Sequence, residues 1–329
     1  MKFRGKFHLK EQKNAKFGLM KIRNITRRQI LQGLALSGIS TSFHVPLFAA
    51  GSGDPEVHEI TDRISLITGA GGNVVLYRGN QSYTAIDSGS LDHSAVLRVA
   101  VEELVGGMPV TTLFNTHWHE DHTGGNEAFR AMGAKILAHE NTRLWMTADF
   151  DIEWRNTAIK PRPIKALPDE TFYFSGEKDL GGETMQYLHH VQAHTDGDIA
   201  LYFPDSNVLV AGGLLRVGSY PVCDIATGGW IGGLIPANAA MLELANEDTI
   251  IIPDEGPAVG KAALQAQHDM LTVLYEQMKE LARKGYSGHD MLEAGATSEF
   301  DTQWGDPTEF VLETYRGMWA HSRDMGGFI

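Results

Sequence analysis

The chain has 329 residues, of which 43% are hydrophobic and 21% charged, and its formal net charge is −13. That is enough material for one large or two ordinary domains with a substantial core, and no uninterrupted apolar run of spanning length follows the N-terminus. Beyond position 50 the balance falls to −22, with 18 basic against 40 acidic residues, which argues against nucleic acid or an anionic membrane as a partner because phosphate binding depends on clustered Lys and Arg.

Residues 1–50 carry ten Lys/Arg and a single acid, Glu11. Thr26-Arg27-Arg28-Gln29-Ile30-Leu31 sets paired arginines before a mildly apolar segment that ends in the small residues Ala49-Ala50-Gly51. This resembles a twin-arginine export signal, an address read by a receptor rather than an anchor. The resemblance implies recognition by the twin-arginine export machinery and passage, already folded and metal-loaded, to the periplasm or the medium, with no membrane anchor after maturation. Met20 is the expected start of a signal of usual length. The lone cysteine, Cys223, excludes an intrachain disulfide and any multi-cysteine metal cluster, and it reads as a small buried apolar side chain.

Strand-like runs follow at 63–67, 73–77 and 83–87, separated by Gly, Asn and Ser turns. Residues 91–105 have helical periodicity, and 109–114 read as a buried strand. Short helices are expected over 126–132 and 141–148, with a strand at 134–138 between them. The segment 150–167, with Pro161 and Pro163, reads as an irregular loop placed over a site. Further strands are expected at 171–174, 185–191, 199–203, 208–211 and 249–252, and helices at 230–245 and 258–284. A helical tail should pack through Phe300, Trp304, Phe310 and Trp319. Strand-rich and helical stretches alternate once in each half, which predicts an α/β fold of two packed sheets flanked by helices.

The densest chemistry lies in Thr116-His117-Trp118-His119-Glu120-Asp121-His122-Thr123-Gly124-Gly125, where three imidazoles and two carboxylates occupy six consecutive positions. Imidazole is the commonest neutral ligand for a borderline ion such as zinc, and carboxylates share such sites. A tight turn after the 109–114 strand would let His117 and His119 converge on one ion, and Asp121 and His122 on a second. Downstream, Ala193-His194-Thr195-Asp196-Gly197-Asp198 supplies another histidine in a polar loop. His189 and His190 alternate on a strand and read as core or supporting histidines rather than ligands.

The pattern His117-x-His119-x-Asp121-His122 followed by His194 resembles the metallo-β-lactamase superfamily, as do Asn115 to Asn126, the 193–198 segment and Phe300-Asp301-Thr302-Gln303-Trp304-Gly305. The likeness covers roughly 58–325 and implies an αββα sandwich with metals at one edge between the sheets. The expected organisation is a signal region over 1–50, the sandwich over 51–258 and a helical C-terminal extension over 259–329. Residue by residue, the resemblance makes His117, His119 and His194 the ligands of a first zinc site with an open position for an acidified water. Asp121 and His122 would serve a second site, with Asp121 also a candidate catalytic base.

Two departures from the family pattern concern that second site. Gly212-Gly213 stands where Gly-Asp is usual, which removes a bridging carboxylate. In Pro253-Asp254-Glu255-Gly256-Pro257, Glu255 stands at a usual histidine position. A carboxylate there would make the second site more oxygen-rich and favour manganese or iron over zinc. Ser219, where arginine is usual, removes an anchor for an anionic substrate. The resemblance thus implies a hydrolase that uses metal-bound hydroxide on an ester, lactone, thioester or amide bond of a small molecule, β-lactams included. The reading from a different class is a catalytically quiet metal- or ligand-binding protein on the same fold.

Overall fold

The computed structural model describes residues 55–322, so the expected export signal over 1–50 lies outside the described residues. Strands β1 (Glu56–Glu59), β2 (Ile64–Thr68), β3 (Val74–Arg78) and β4 (Tyr83–Ile86) form an antiparallel meander. Helix α1 (Ser94–Val105) then carries the chain across to β5 (Val110–Phe114), which pairs parallel with β4. Two short helices, α2 (Glu120–Thr123) and α3 (Asn126–Ala131), lead to β6 (Lys135–His139), and α4 (Glu140–Thr147) follows.

The segment expected to be irregular contains a small antiparallel hairpin, β7 (Phe150–Ile152) and β8 (Thr157–Ile159). Strand β9 (Glu170–Phe172) returns to the edge of the first sheet, giving the order β1-β2-β3-β4-β5-β6-β9.

The second half repeats the plan. Strands β10 (Gly176–Asp179), β11 (Thr184–His190), β12 (Asp198–Phe203) and β13 (Val208–Gly212) meander. Helix α5 (Ile231–Leu244) crosses over to β14 (Ile250–Pro253), parallel to β13, and β15 (Val259–Gly260) closes the six-stranded sheet. The long α6 (Lys261–Arg283) and the shorter α7 (Gly288–Glu293), α8 (Asp301–Trp304) and α9 (Thr308–Ala320) complete the chain.

Period-two alternation explains the layering. In β3, Val75 and Tyr77 enter a core shared with Phe203, Val208, Val210 and Ile252 of the other sheet, while Val74 and Leu76 face α1. Tyr77 and Phe203 stack across the interface with ring centroids 5.5 Å apart. On the outer face of the second sheet, Leu209 and Ala211 meet Leu234 of α5, Leu271 and Leu274 of α6 and Phe310 of α9. The result is the expected αββα sandwich. The boundary expected at 258 falls between β14 and β15, and α6 to α9 share one apolar cluster with the second sheet.

Trp304 and Phe310 are buried as expected, whereas Trp319 is 47% exposed because its position on α9 faces away from that cluster. Cys223 is buried in the same cluster, and burial raises its thiol pKa, which suits an inert apolar role.

Candidate metal centre

Strand β5 ends at Phe114, and the next residues turn across the rim between the two sheets. The turn is fixed by buried polar pairs. Asn115 and Asn126 exchange side-chain amide hydrogen bonds of 3.0 and 2.9 Å, and Ser88 Oγ donates to Asn126 Oδ1 at 2.8 Å. Asp87, one residue beyond β4, adopts a left-handed φ of 58°, a conformation that costs a non-glycine residue roughly 1 kcal/mol or more and clusters at functional sites. Its carboxylate accepts from Thr116 N and Thr116 Oγ1, both at 2.7 Å, and lies 2.7 Å from His122 Nδ1.

His117, His119 and His194 meet at the base of a cavity of about 580 Å³, with ring centroids 4.7–4.8 Å apart. One ligand nitrogen from each lies within 4.8 Å of the others. His194 comes from the loop between β11 and β12, where its backbone N–H and that of Thr195 donate to buried Asp198 Oδ2 at 2.6 and 2.8 Å.

The outer nitrogen of every ring faces an oxygen that can only accept, or whose own proton is already used. His194 Nδ1 is 2.7 Å from the Val222 carbonyl, and His119 Nε2 is 3.0 Å from Asp224 Oδ2. His117 Nδ1 is 3.0 Å from Thr116 Oγ1, whose hydroxyl hydrogen goes to Asp87. Burial works to raise the Asp224 pKa, but His119, Thr227 and Arg155 outweigh it and hold the carboxyl at about 2, so it stays ionised. Each ring therefore has its proton on the outer nitrogen and a lone pair pointing inward.

His119 Nδ1 and His194 Nε2, both lone-pair atoms on this assignment, sit only 2.9 Å apart. Two facing lone pairs repel unless a cation lies between them, and outer-nitrogen donation of this kind is how proteins orient metal-binding imidazoles. Burial, then His122, His194 and His119, push the His117 pKa well down, keeping that ring neutral as a ligand must be. The donor set fits a borderline ion such as zinc.

The second group differs from expectation. Buried His122 sits between carboxylates, with Asp87 at Nδ1 and Asp254 Oδ1 2.9 Å from Nε2. That contact is short but off-line, so His122 Nε2 has no hydrogen-bond partner. Burial would lower the His122 pKa, but Asp87, Asp121 and Asp254 outweigh it and raise it well above the usual value.

Glu255 does not join this group. Its side chain is 44% exposed and pairs with Arg216 Nη2 at 3.8 Å, within electrostatic reach of Asp121 and His122 but outside the ligand group. Backbone bonds from Asp254 N to the Leu215 carbonyl and from Asn73 N to the Asp254 carbonyl, both 2.9 Å, hold Asp254 with its carboxylate against His122. Asp121 lies at the cavity wall, 48% exposed, with Oδ2 3.8 Å from His122 Nε2. His189 stacks on His139 with centroids 3.7 Å apart, and neither it nor His190 joins a ligand group among the described residues.

Asp87, Asp224, Asp254 and Arg216 escaped the sequence reading. Of these, Asp254 lies within the 253–257 segment already singled out, and Asp224 directly follows Cys223. Arg216 restores a cation near Ser219, since its Nε donates to Ser219 Oγ at 2.9 Å.

The 150–162 segment does stand over the site. Ile152, Arg155, Ile159 and Lys160 line the cavity with Trp118 and Val222. Arg155 Nη1 reaches Asp224 Oδ1 at 3.4 Å and its Nε reaches buried Glu313 on α9 at 3.2 Å, so the C-terminal helix supports the carboxylate behind His119. Replacing Asp224 with Ala should weaken zinc binding by about 10–100-fold, the usual cost of an outer partner of a ligating histidine. Chelator competition at neutral pH measures it, and an unchanged affinity would mean that Asp224 does not orient His119.

An αββα sandwich with a three-histidine centre at its rim defines a class, that of metal-dependent proteins built on two packed sheets. The metallo-β-lactamase superfamily model matches residues 67–311, and the chain belongs to that superfamily. It is 28% identical over 109 residues to a hydroxyacylglutathione hydrolase of Erythrobacter litoralis, a match covering 32% of this chain and 34% of the relative. To the 2,4-dinitroanisole O-demethylase subunit alpha of a Nocardioides species it is 28% identical over 154 residues, 46% of this chain and 43% of the relative. These matches span between a third and less than half of the relatives' lengths. Among solved structures, a metallo-β-lactamase from Pontibacter korlensis superposes with a TM-score of 0.55 at 19% identity, over 66% of this chain and 99% of that one. The sec-alkylsulfatase Pisa1 from a Pseudomonas species gives 0.60 at 17% identity, over 80% of this chain and 50% of that one. At such identities the superpositions show the shared fold.

Proposed function

We propose that the protein is a metal-dependent hydrolase acting on an acyl bond of a small molecule, an ester, lactone, thioester or amide. The observation that carries this reading is the convergence of three inward lone pairs, from His117, His119 and His194, at the base of a cavity large enough for a drug-sized ligand. A zinc ion held there supplies Lewis acidity, polarising a carbonyl and acidifying water. The chain's own groups do the rest. Asp121, open to the cavity, is placed to take a proton from water entering it. Trp118, Ile152, Ile159 and Val222 give the walls an apolar part that favours an uncharged substrate body, while Lys160 and Arg216 offer cations to its polar end.

The export proposal rests on the paired Arg27-Arg28 and the segment after them. It predicts that N-terminal sequencing of protein recovered from the periplasm or medium begins near residue 50; a cytoplasmic product retaining Arg27 and Arg28 would refute it.

The hydrolase reading is tested on zinc-loaded protein with a panel of lactones, thioesters, aryl esters and β-lactams. At least one should be hydrolysed by the wild type and not by its His119→Ala variant. A panel left untouched by a fully metal-loaded wild type would favour the quiet binding protein.

A further inference from the structure

We infer that the centre binds one metal ion, and that the Arg216 guanidinium takes the place of a second. This rests on the metal-centre reading above and adds to it the number of ions and the source of the second positive charge.

A second ion would have to be held by His122 and Asp254 beside His117, since these are the atoms that lie together, and the one inward lone pair of His117 already serves the first ion. Two features of the chain oppose that arrangement. Position 213 supplies no carboxylate between the two groups, and Gly213 is packed directly against a ligand of the first. A Cβ added there would lie 2.3 Å from His194 Cδ2 and 2.8 Å from its Cγ. The single carboxylate of the second group, Asp254, also already faces a fixed cation: Arg216 Nη1 is 3.4 Å from Asp254 Oδ2. Its Nη2 is 3.8 Å from Glu255 Oε2, so one guanidinium spans both acids of the 253–257 turn.

The guanidinium is mounted rather than loosely placed. Its Nε donates to Ser219 Oγ at 2.9 Å, and the Arg216 backbone N–H donates to Gln267 Oε1 at 2.9 Å. Gln267 is fully buried and is itself fixed by donating, at 2.8 Å each, to the Leu214 carbonyl and Asn238 Oδ1. Asp254 hangs from the same segment through its backbone bond to Leu215. Carboxylate and guanidinium therefore keep their separation, and a divalent ion arriving at Asp254 meets a permanent positive charge a few ångströms away. Arginine cannot shed its proton to make room.

Arg216 also lines the cavity, with its side chain 35% exposed. It thus presents donors where a second ion would otherwise meet the substrate, and a guanidinium holds carboxylates and developing oxyanions in a directional way that suits this place.

The test is a count. Full-length protein, matured and saturated with zinc, is freed of loose metal by gel filtration and analysed by mass spectrometry for zinc per chain. Wild type should hold one ion, Arg216→Lys one, and Arg216→Ala two. Arg216→Met, which keeps the aliphatic stem, should also hold two if the alanine variant folds poorly. In cobalt-loaded protein, electron paramagnetic resonance should show spin coupling between paired ions in the neutral variants and none in the wild type. Two ions in the wild type would overturn the proposal and leave the metal centre standing. One ion in both neutral variants would remove Arg216 as the cause and overturn it equally. No ion in any of them would overturn the metal-centre reading with it.

Discussion

His119→Ala is expected to abolish tight metal binding and, with it, hydrolysis. The ring contributes one of three converging lone pairs, and its removal leaves His194 Nε2 and His117 without the donor that closes the set. Loss of an outer partner of a ligating histidine already costs about 10–100-fold in affinity, so loss of the ligand itself should exceed that range. Turnover should fall by at least about 10²–10³-fold, the size of effect seen when one preorganised group that stabilises developing charge is removed. The fold should survive, because the His119 side chain is 22% exposed and fills no core position. Equilibrium dialysis against zinc, circular dichroism and turnover of the responsive panel compound check the three statements. A variant that keeps its metal would show that His119 is not a ligand.

Gly213→Ala is the second large effect, and it follows from space alone. The added methyl carbon would meet His194 Cδ2 at 2.3 Å, closer than real carbon contacts allow. His194 is 5% exposed, with Nδ1 bonded to Val222 and its backbone bonded to Asp198, so the ring has little freedom to retreat. Forcing an extra carbon into a packed site costs about 1–3 kcal/mol. The displaced ring would also leave the ligand set. The variant should therefore lose both metal affinity and several degrees of melting temperature, most visibly in the zinc-loaded protein.

The same reasoning decides what restoring the family's usual residues should do. Restoring the aspartate usual in the family, as Gly213→Asp, should impair the first site rather than build a second, and adding Glu255→His should not repair it, because the damage lies at His194. Thermal unfolding with and without zinc, compared with wild type, measures this. A Gly213→Ala protein with unchanged melting temperature and zinc affinity would mean that the rim yields more easily than its hydrogen bonds suggest.

The sandwich was legible because its strands alternate. Val74 to Tyr77 and Val208 to Ala211 send odd and even residues to different apolar layers, and such runs can be read from the residues alone. The three-histidine group was legible for a different reason: two of its members lie in one short turn, and the third sits in a distinctive polar loop. What could not be read was orientation one residue past a strand. Asp254 and Glu255 are equivalent as a string, and only the backbone bonds to Leu215 and Asn73 decide which carboxylate faces His122.

Arg216, Asp87 and Asp224 were hidden because their meaning depends on partners far along the chain. Asp87 meets Thr116 and His122 where β4 and β5 end side by side in one sheet, and Asp224 meets His119 only when the two halves of the chain pack together. The β7–β8 hairpin was missed because three-residue strands interrupted by charged residues and followed closely by Pro161 and Pro163 carry no periodic signal.

The measurement that bears most directly on the central claim is X-ray absorption at the zinc edge of the loaded protein. Three imidazoles with inward lone pairs predict a first shell of light donors at about 2.0–2.1 Å, with the outer-shell scattering of about three histidine rings per ion. A first shell of oxygens alone, or scattering from a single ring, would contradict the assignment of His117, His119 and His194 as the metal centre.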